Sequence, residues 1–302
     1  MKKLLPLLSL FIVASCSQPI NNIENIDNSQ ATVSSKRHMK KSANGFTVAT
    51  YDIKSFFTKN LKDNQRNSNL SNAVHNLNAD IISFQEVSSV KDFKTFSDKY
   101  LADMKYNFYS SQDAGSKINS VVLSRFAVDD IKKVSGSNKY PLDNLFKMKI
   151  TVNPNYSFLF YTAFIPTANT PGYTQTRRNA QIEEFKKYVL TNQKANFREP
   201  YLIVGNFNGS PSQSDMQTII DPRSSGLSFH DIVTEDLGGG NNIFSKEENN
   251  ATSRPDYILV APGMFYDYVY DSITIHNKPE EKIYKEVSDH YPLTADFNLP
   301  AS

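Results

Sequence analysis

The chain has no tryptophan and one cysteine among its 302 residues. With Cys16 alone, no intramolecular disulfide can form, and the redox compartment cannot be read from cysteine pairing. Missing tryptophan fits an AT-rich coding sequence and carries no functional weight; phenylalanine and tyrosine supply nearly all of an ordinary 12% aromatic content. A strong charge of one sign is also lacking. The formal net charge is +2, and loss of Lys2 and Lys3 with a cleaved leader would bring it near neutral. Dedicated duplex binders are clearly basic because phosphate neutralisation supplies much of their affinity, so any nucleic-acid argument here must rest on local clusters. No apolar run approaches the roughly 20 residues that span a bilayer as a helix. No repeat at a fixed period and no second linker are visible, which leaves one ordered domain over 46–299 as the expectation.

What is present begins at the N-terminus. Lys2 and Lys3 precede an apolar run from Leu4 to Ala14, and small residues come immediately before Cys16. This is the pattern of a signal peptide over residues 1–15. The tetrad Val13, Ala14, Ser15, Cys16 resembles the bacterial lipobox, which implies that Cys16 becomes the lipidated first residue. Several acyl chains on one cysteine anchor stably, since each buried CH₂ contributes about 0.8 kcal/mol. Ser17 follows in place of the aspartate that favours inner-membrane retention. The expected location is therefore the cell envelope: the outer membrane if the organism has one, otherwise the outer face of the plasma membrane. Residues 16–45, rich in Asn, Ser and Gln, read as a flexible tether. Its cluster Lys36, Arg37, His38, Lys40, Lys41 reads first as solvated linker and second as a contact for anionic lipid or a polyanion.

Beyond the tether, short apolar or alternating runs recur at 46–53, 80–87, 120–126, 146–152, 157–164, 201–207, 256–262 and 291–297. Their length and β-branched or aromatic content mark strands. Helical patterns lie between some of them, at Asn67 to Leu77 and Gln175 to Leu190, the latter placing Ala180, Ile182, Phe185 and Val189 on one face. Hairpin-like pairs alternating with helical crossovers predict an α+β fold: two stacked, largely antiparallel sheets flanked by helices, a four-layer sandwich.

Polar residues gather at the ends of these strands: Asp52, then Gln85 with Glu86, then Asn206 with Asn208, then Asp289 with His290. Each alone reads as a turn former or a capping group. Four segments in this order, DIISFQEV, YLIVGNFN, SRPDYILV and SDHYPLTADF, resemble the motifs of the DNase I-like endonuclease/exonuclease/phosphatase superfamily. YTAFIPTA and TRRNAQIEEF resemble, more loosely, its abasic-site endonuclease and exonuclease III branch. The resemblance implies metal-dependent phosphodiester hydrolysis, with Mg²⁺, or Mn²⁺ in its place, as cofactor. It implies Glu86 as metal ligand, with Asp52 and Asp289 near the ion. His290 would contact or protonate the scissile phosphate while Asp256 fixes its tautomer, and Asn208 would hold a phosphate oxygen or the attacking water. Arg254, Arg177 and Arg178 are candidate phosphate contacts, with surface charge as the alternative. His38, His75, His230 and His276 match no motif and read as surface or packed residues.

Three positions depart from the family pattern. GNFN stands for GDFN, so the water-orienting position is Asn206, an amide that accepts no proton at neutral pH. Phe164 stands where the branches place a histidine or tyrosine against the phosphate. Asp52 stands where the first strand usually carries asparagine. The Asp and Asn have thus changed places, and if the two strand ends are neighbours the number of carboxylates is preserved. Three functions compete. The first is a cell-surface nuclease acting on DNA or RNA; the second, a binding protein that keeps the fold without catalysis; the third, a phospholipid or sphingomyelin phosphodiesterase. The expected partners are a nucleic acid or other phosphoester and, through the lipid, a membrane; no protein partner is inferred.

Overall fold

A computed structural model of the chain describes residues 41–56, 64–110, 119–134, 142, 145–168, 173–220, 229–239 and 243–300. The leader, Cys16 and the tether up to residue 40 lie outside the described residues. The strands, in chain order, are β1 (Phe46–Phe56), β2 (Ile81–Val87), β3 (Asn107–Ser110), β4 (Asn119–Ser124), β5 (Ala127–Lys133), β6 (Leu145–Asn153) and β7 (Tyr156–Phe164). They continue with β8 (Tyr201–Asn206), β9 (His230–Asp231), β10 (Lys246–Glu248), β11 (Ala251–Ser253), β12 (Asp256–Val260), β13 (Thr274–Ile275) and β14 (Leu293–Phe297).

Twelve of them form two six-stranded sheets, ordered β13-β14-β1-β2-β4-β3 and β5-β6-β7-β8-β12-β9; β10 and β11 make a separate ribbon. Each sheet contains one parallel pair, β1 with β2 and β7 with β8, in otherwise antiparallel pairing. A parallel neighbour needs a crossover, and each pair has a helix in its connection: α1 (Asn64–Leu77) in the first and α3 (Gln175–Ala195) in the second. The expected α+β sandwich of two largely antiparallel sheets flanked by helices is the architecture observed.

The central strands β2, β4, β8 and β12 carry apolar runs because they are covered on both faces. In β8 every residue is buried: Leu202 and Val204 enter the core between the sheets, while Tyr201 and Ile203 enter a second core with Ile182, Phe185 and Val189 of α3. Across the first core Phe46 stacks on Phe158 of the other sheet at 5.4 Å, and within its own sheet on Phe297 at 5.5 Å, pinning the two sheets together near the end where β1 begins. In α1, Leu70, Ala73, Val74 and Leu77 recur at helical spacing and are all buried.

Sequence periodicity leaves several elements unmarked, α2 (Val90–Tyr100) and β5 among them. α2 buries Phe93 and Phe96 and is capped by Ser89, whose Oγ accepts from the Asp92 N–H at 3.2 Å. Edge strand β5, AVDDIKK, is almost wholly exposed and charged. It resists pairing with another chain and shows no apolar alternation to read. Among the described residues no helix is long and apolar enough to cross a membrane.

Candidate active site

The topology brings the polar strand ends together. β1 and β2 run parallel with Asp52 opposite Gln85, β7 and β8 run parallel with Phe164 opposite Asn206, and antiparallel β12 places Asp256 opposite Asn206. A hydrogen bond between the sheets closes the set: Asn206 Nδ2 donates to Asp52 Oδ2 at 2.6 Å, both side chains being buried. The exchanged Asp and Asn are therefore direct neighbours. Beneath them a buried polar string also joins the sheets. Thr50 Oγ1 donates to Gln85 Oε1 at 3.1 Å, Gln85 Nε2 donates to Ser83 Oγ at 2.8 Å, and Ser83 Oγ meets Thr162 Oγ1 at 2.6 Å. Ser83 and Thr162 were not among the residues expected from sequence.

Backbone strain concentrates at the same end. Gly205 has φ +142°, and a Cβ there would lie 2.0 Å from the Ala163 carbonyl oxygen, so only glycine lets β8 approach β7 just before Asn206. Lys54, Ser55, Glu86 and Asn208 adopt left-handed φ values of 43°, 53°, 54° and 49° without being glycine. Each such residue costs about 1–3 kcal/mol unless its surroundings hold it, and these positions cluster at functional sites. The register of β1 against β2 shifts between Asp52 and Phe56, so Lys54 and Ser55 lie in a bulge that faces Glu86: Ser55 Oγ donates to Glu86 Oε2 at 3.2 Å.

His290 is 2% exposed, and its Nδ1 lies 2.9 Å from Asp256 Oδ2. Asp256 Oδ2 also accepts from Ser245 Oγ at 2.6 Å. Burial pushes the imidazole down, but the Asp256 and Asp52 carboxylates outweigh it and raise its pKa to about 9. At neutral pH His290 is an imidazolium with one N–H on Asp256 and Nε2–H turned away from it. Burial, and then the Asp52 charge, raise Glu86 to about 7, against the opposing pull of His290, Ser55 and Lys246. Asp52 is raised as well, chiefly by burial. Asn208 is fixed at both ends, its N–H donating to Asn206 Oδ1 at 2.6 Å and its Nδ2 to the Ile165 carbonyl at 3.1 Å.

The metal expectation meets a constraint. Among the described residues no three carboxylate or imidazole groups are placed to hold one ion together. Glu86, Asp52 and Asp289 do not form a joint ligand set, for a visible reason. Asp52 accepts from the Asn206 amide and, at 2.8 Å, from the Lys54 N–H, while Asp289 Oδ2 accepts from Lys54 Nζ at 2.5 Å. Glu86 is the carboxylate that fits, because it is partly buried, carries no ammonium contact and keeps one oxygen clear of Ser55. Mg²⁺ retains several waters and needs only one or two protein carboxylates.

The candidate arginines already have partners within the chain. Arg178 is 2% exposed; its Nε pairs with Asp215 Oδ2 at 2.6 Å and its Nη1 donates to the carbonyls of Pro166 and Phe207, which ties α3 to the ends of β7 and β8. Arg254 forks onto Asp231 at 3.1 and 2.5 Å and lies over the Tyr257 ring. Each of the two cations is held by a carboxylate, and Arg254 also lines the cavity beside the site. Arg177 stacks over Tyr173. The described non-motif histidines each meet a carboxylate, His75 with Asp103, His230 with Glu235 and His276 with Glu281. Beside the site, a cavity of about 610 Å³ lies between the Ser210 turn, Phe244 and the Thr252–Arg254 stretch.

Comparison with known proteins agrees with this geometry. The fold is similar to an AP endonuclease from Archaeoglobus fulgidus (TM-score 0.62, 17% identity, covering 84% of this chain and 100% of that one). It is also similar to the 3′ phosphatase NExo from Neisseria, solved with a product DNA hairpin (TM-score 0.61, 15% identity, 84% and 100% covered). A Bacteroides thetaiotaomicron endonuclease/exonuclease/phosphatase family protein is similar too (TM-score 0.58, 18% identity, 84% and 98% covered). No curated protein matches the sequence. The family model matches residues 49–290, the span that carries Asp52, Glu86, Asn206, Asp256 and His290, and the chain belongs to the endonuclease/exonuclease/phosphatase family, a group of phosphoesterases.

Proposed function

We propose that the chain is a metal-dependent phosphodiesterase acting on nucleic acid, with His290 as the proton donor. The observation that carries this reading is the buried His290–Asp256 pair, which keeps an imidazolium at neutral pH where a phosphate oxygen or leaving oxygen would sit. Asp256 holds Nδ1 and thereby leaves Nε2–H as the donor. Asp52 supplies the carboxylate that orients water, the role that aspartate of GDFN would have, and Asn206 positions it through the 2.6 Å hydrogen bond. The Asn208 amide, fixed to Ile165, sits beside them to receive a phosphoryl oxygen. Glu86 would hold Mg²⁺ or Mn²⁺, which when bound neutralises charge on the phosphoryl group. The neighbouring cavity, with Phe244 on its wall, offers room for a nucleoside beside the scissile bond.

The test is an assay on DNA, RNA and sphingomyelin with Mg²⁺ or Mn²⁺. The expected result is hydrolysis of DNA or RNA that EDTA abolishes and Glu86→Gln reduces by about 10²-fold or more. Preference for sphingomyelin would move the substrate class to lipids. A second reading, a binding protein without catalysis, is favoured by one observation: Asn206 has both ends of its amide committed, to Asp52 and to the Asn208 N–H. Nucleic acid bound by wild type with no turnover under any metal would select it.

We further propose that Cys16 is lipidated and holds the domain at the cell envelope, on the strength of the leader and the Val13–Cys16 tetrad. Cys16→Ser is expected to move the protein from the membrane fraction to the soluble fraction of the source cell. Unchanged membrane partition would remove the anchor.

A further inference from the structure

The mouth of the site holds an ion network in which Asp289 alone belongs to the family motifs. Lys54 Nζ lies 2.5 Å from Asp289 Oδ2 and 3.0 Å from Glu248 Oε1. Lys246 Nζ lies 3.2 Å from Glu248 Oε2 and 3.6 Å from Asp289 Oδ2. Two ammonium groups and two carboxylates thus alternate. An isolated surface pair contributes little, but three features set this one apart. Asp289 is largely enclosed, with 14% of its side chain exposed, and its other oxygen is buried without a hydrogen-bond partner. Lys54 itself stands in the bulge of β1, where two consecutive non-glycine residues hold left-handed φ values of 43° and 53°. A regular strand would alternate its side chains between faces; the bulge re-aims this one. Lys246 arrives from β10 by a separate route, fixed by the bridge between Lys246 and His290. Two unrelated segments therefore deliver positive charge to the same carboxylate.

A lysine ammonium is a compact point charge with three donors, the closest side-chain equivalent of a small hard cation. We propose that the Lys54 ammonium is the resident cation of this site. It holds Asp289 in the place a divalent ion would take, so that the chain carries that charge as a side chain and admits one divalent ion, at Glu86. The inference rests on the reading of these strand ends as the hydrolytic site, and it accounts for the ammonium on Asp289 Oδ2 although the SDH motif is intact.

The experiment is a Mn²⁺ titration of the full chain by calorimetry, with free Mn²⁺ followed by electron paramagnetic resonance. Wild type is expected to show one weak site that Glu86→Gln removes. Lys54→Met is expected to bind Mn²⁺ about tenfold tighter or better, the scale on which groups next to a metal tune its affinity. That gain should vanish in Lys54→Met with Asp289→Asn, while Lys54→Arg, which keeps the charge, should stay at wild-type affinity. Thermal unfolding of each variant verifies that it is folded. Equal Mn²⁺ affinity in wild type and folded Lys54→Met, or a gain that survives Asp289→Asn, overturns the proposal. The two readings fail separately. If wild type hydrolyses no phosphoester while Lys54→Met gains affinity through Asp289, the hydrolytic reading falls and the resident cation stands. If wild type is a metal-dependent phosphodiesterase and Lys54→Met gains nothing, the reverse holds.

Discussion

Asp256→Asn is expected to lower phosphodiester hydrolysis by about 10²–10⁴-fold, the usual contribution of a positioned proton donor. The side chain keeps its shape but loses the charge that holds His290 protonated. With that anion gone, only the Asp52 and Asp289 charges oppose burial, the imidazole pKa falls from about 9, and less of the group is protonated when it is needed as an acid. His290→Ala should fall in the same range, and the double variant should fall little further, because the two residues act as one unit. The check is single-turnover hydrolysis of an oligonucleotide alongside the His290 titration followed by NMR. Additive losses in the double variant would break the pair into independent groups. The same shift makes a stability statement. The folded-state pKa of His290 lies above 6.5, so the stabilisation is complete below about 6.5 and is lost as pH rises through about 9. Urea unfolding between those values should show wild type losing stability with rising pH, and His290→Ala lacking that component.

The second large effect concerns folding. Arg254→Met should destabilise the protein by about 3–5 kcal/mol, because it leaves Asp231, 7% exposed, as a buried charge without its partner. Replacing both residues, as in Arg254→Met with Asp231→Leu, should recover much of that loss, since desolvation then falls on neither. Urea unfolding at fixed pH measures it as a change in midpoint at constant slope. A loss below about 1 kcal/mol, in the range of exposed pairs, accompanied by weaker substrate binding, would return Arg254 to the role of phosphate contact that its sequence position suggested.

The arginines show where sequence reasoning stops. Arg254 and Arg178 flank motif segments, and an arginine near a phosphate site reads naturally as a phosphate ligand. Their partners, Asp231 and Asp215, lie 23 and 37 residues away on elements whose approach no local pattern announces. Lys54 was missed for the complementary reason. In TYDIKSFF it is one lysine in a strand, and only the bulge turns it toward Asp289. α2 was legible in principle, since Ser89 with Asp92 marks a cap and Phe93 with Phe96 a buried face. Its short, charge-rich sequence concealed it.

By itself the sequence determined the layered architecture and the order of the polar strand ends. Strands covered on both faces must be continuous apolar runs, so polar residues gathered at their ends stand out even where, as at Asp52 and Asn206, they are buried. It also showed that Asp52 and Asn206 had changed places. Only the tertiary structure decided what that exchange means. The two residues are 154 positions apart, and their 2.6 Å hydrogen bond exists because β1 and β8 belong to different sheets that pack with these ends together. The same packing decides what each carboxylate meets. Asp52 is turned to an amide, Asp289 to an ammonium, and Glu86 is left facing the site, because hydrogen bonds and ion pairs depend on proximity in space, which spacing along the chain does not encode.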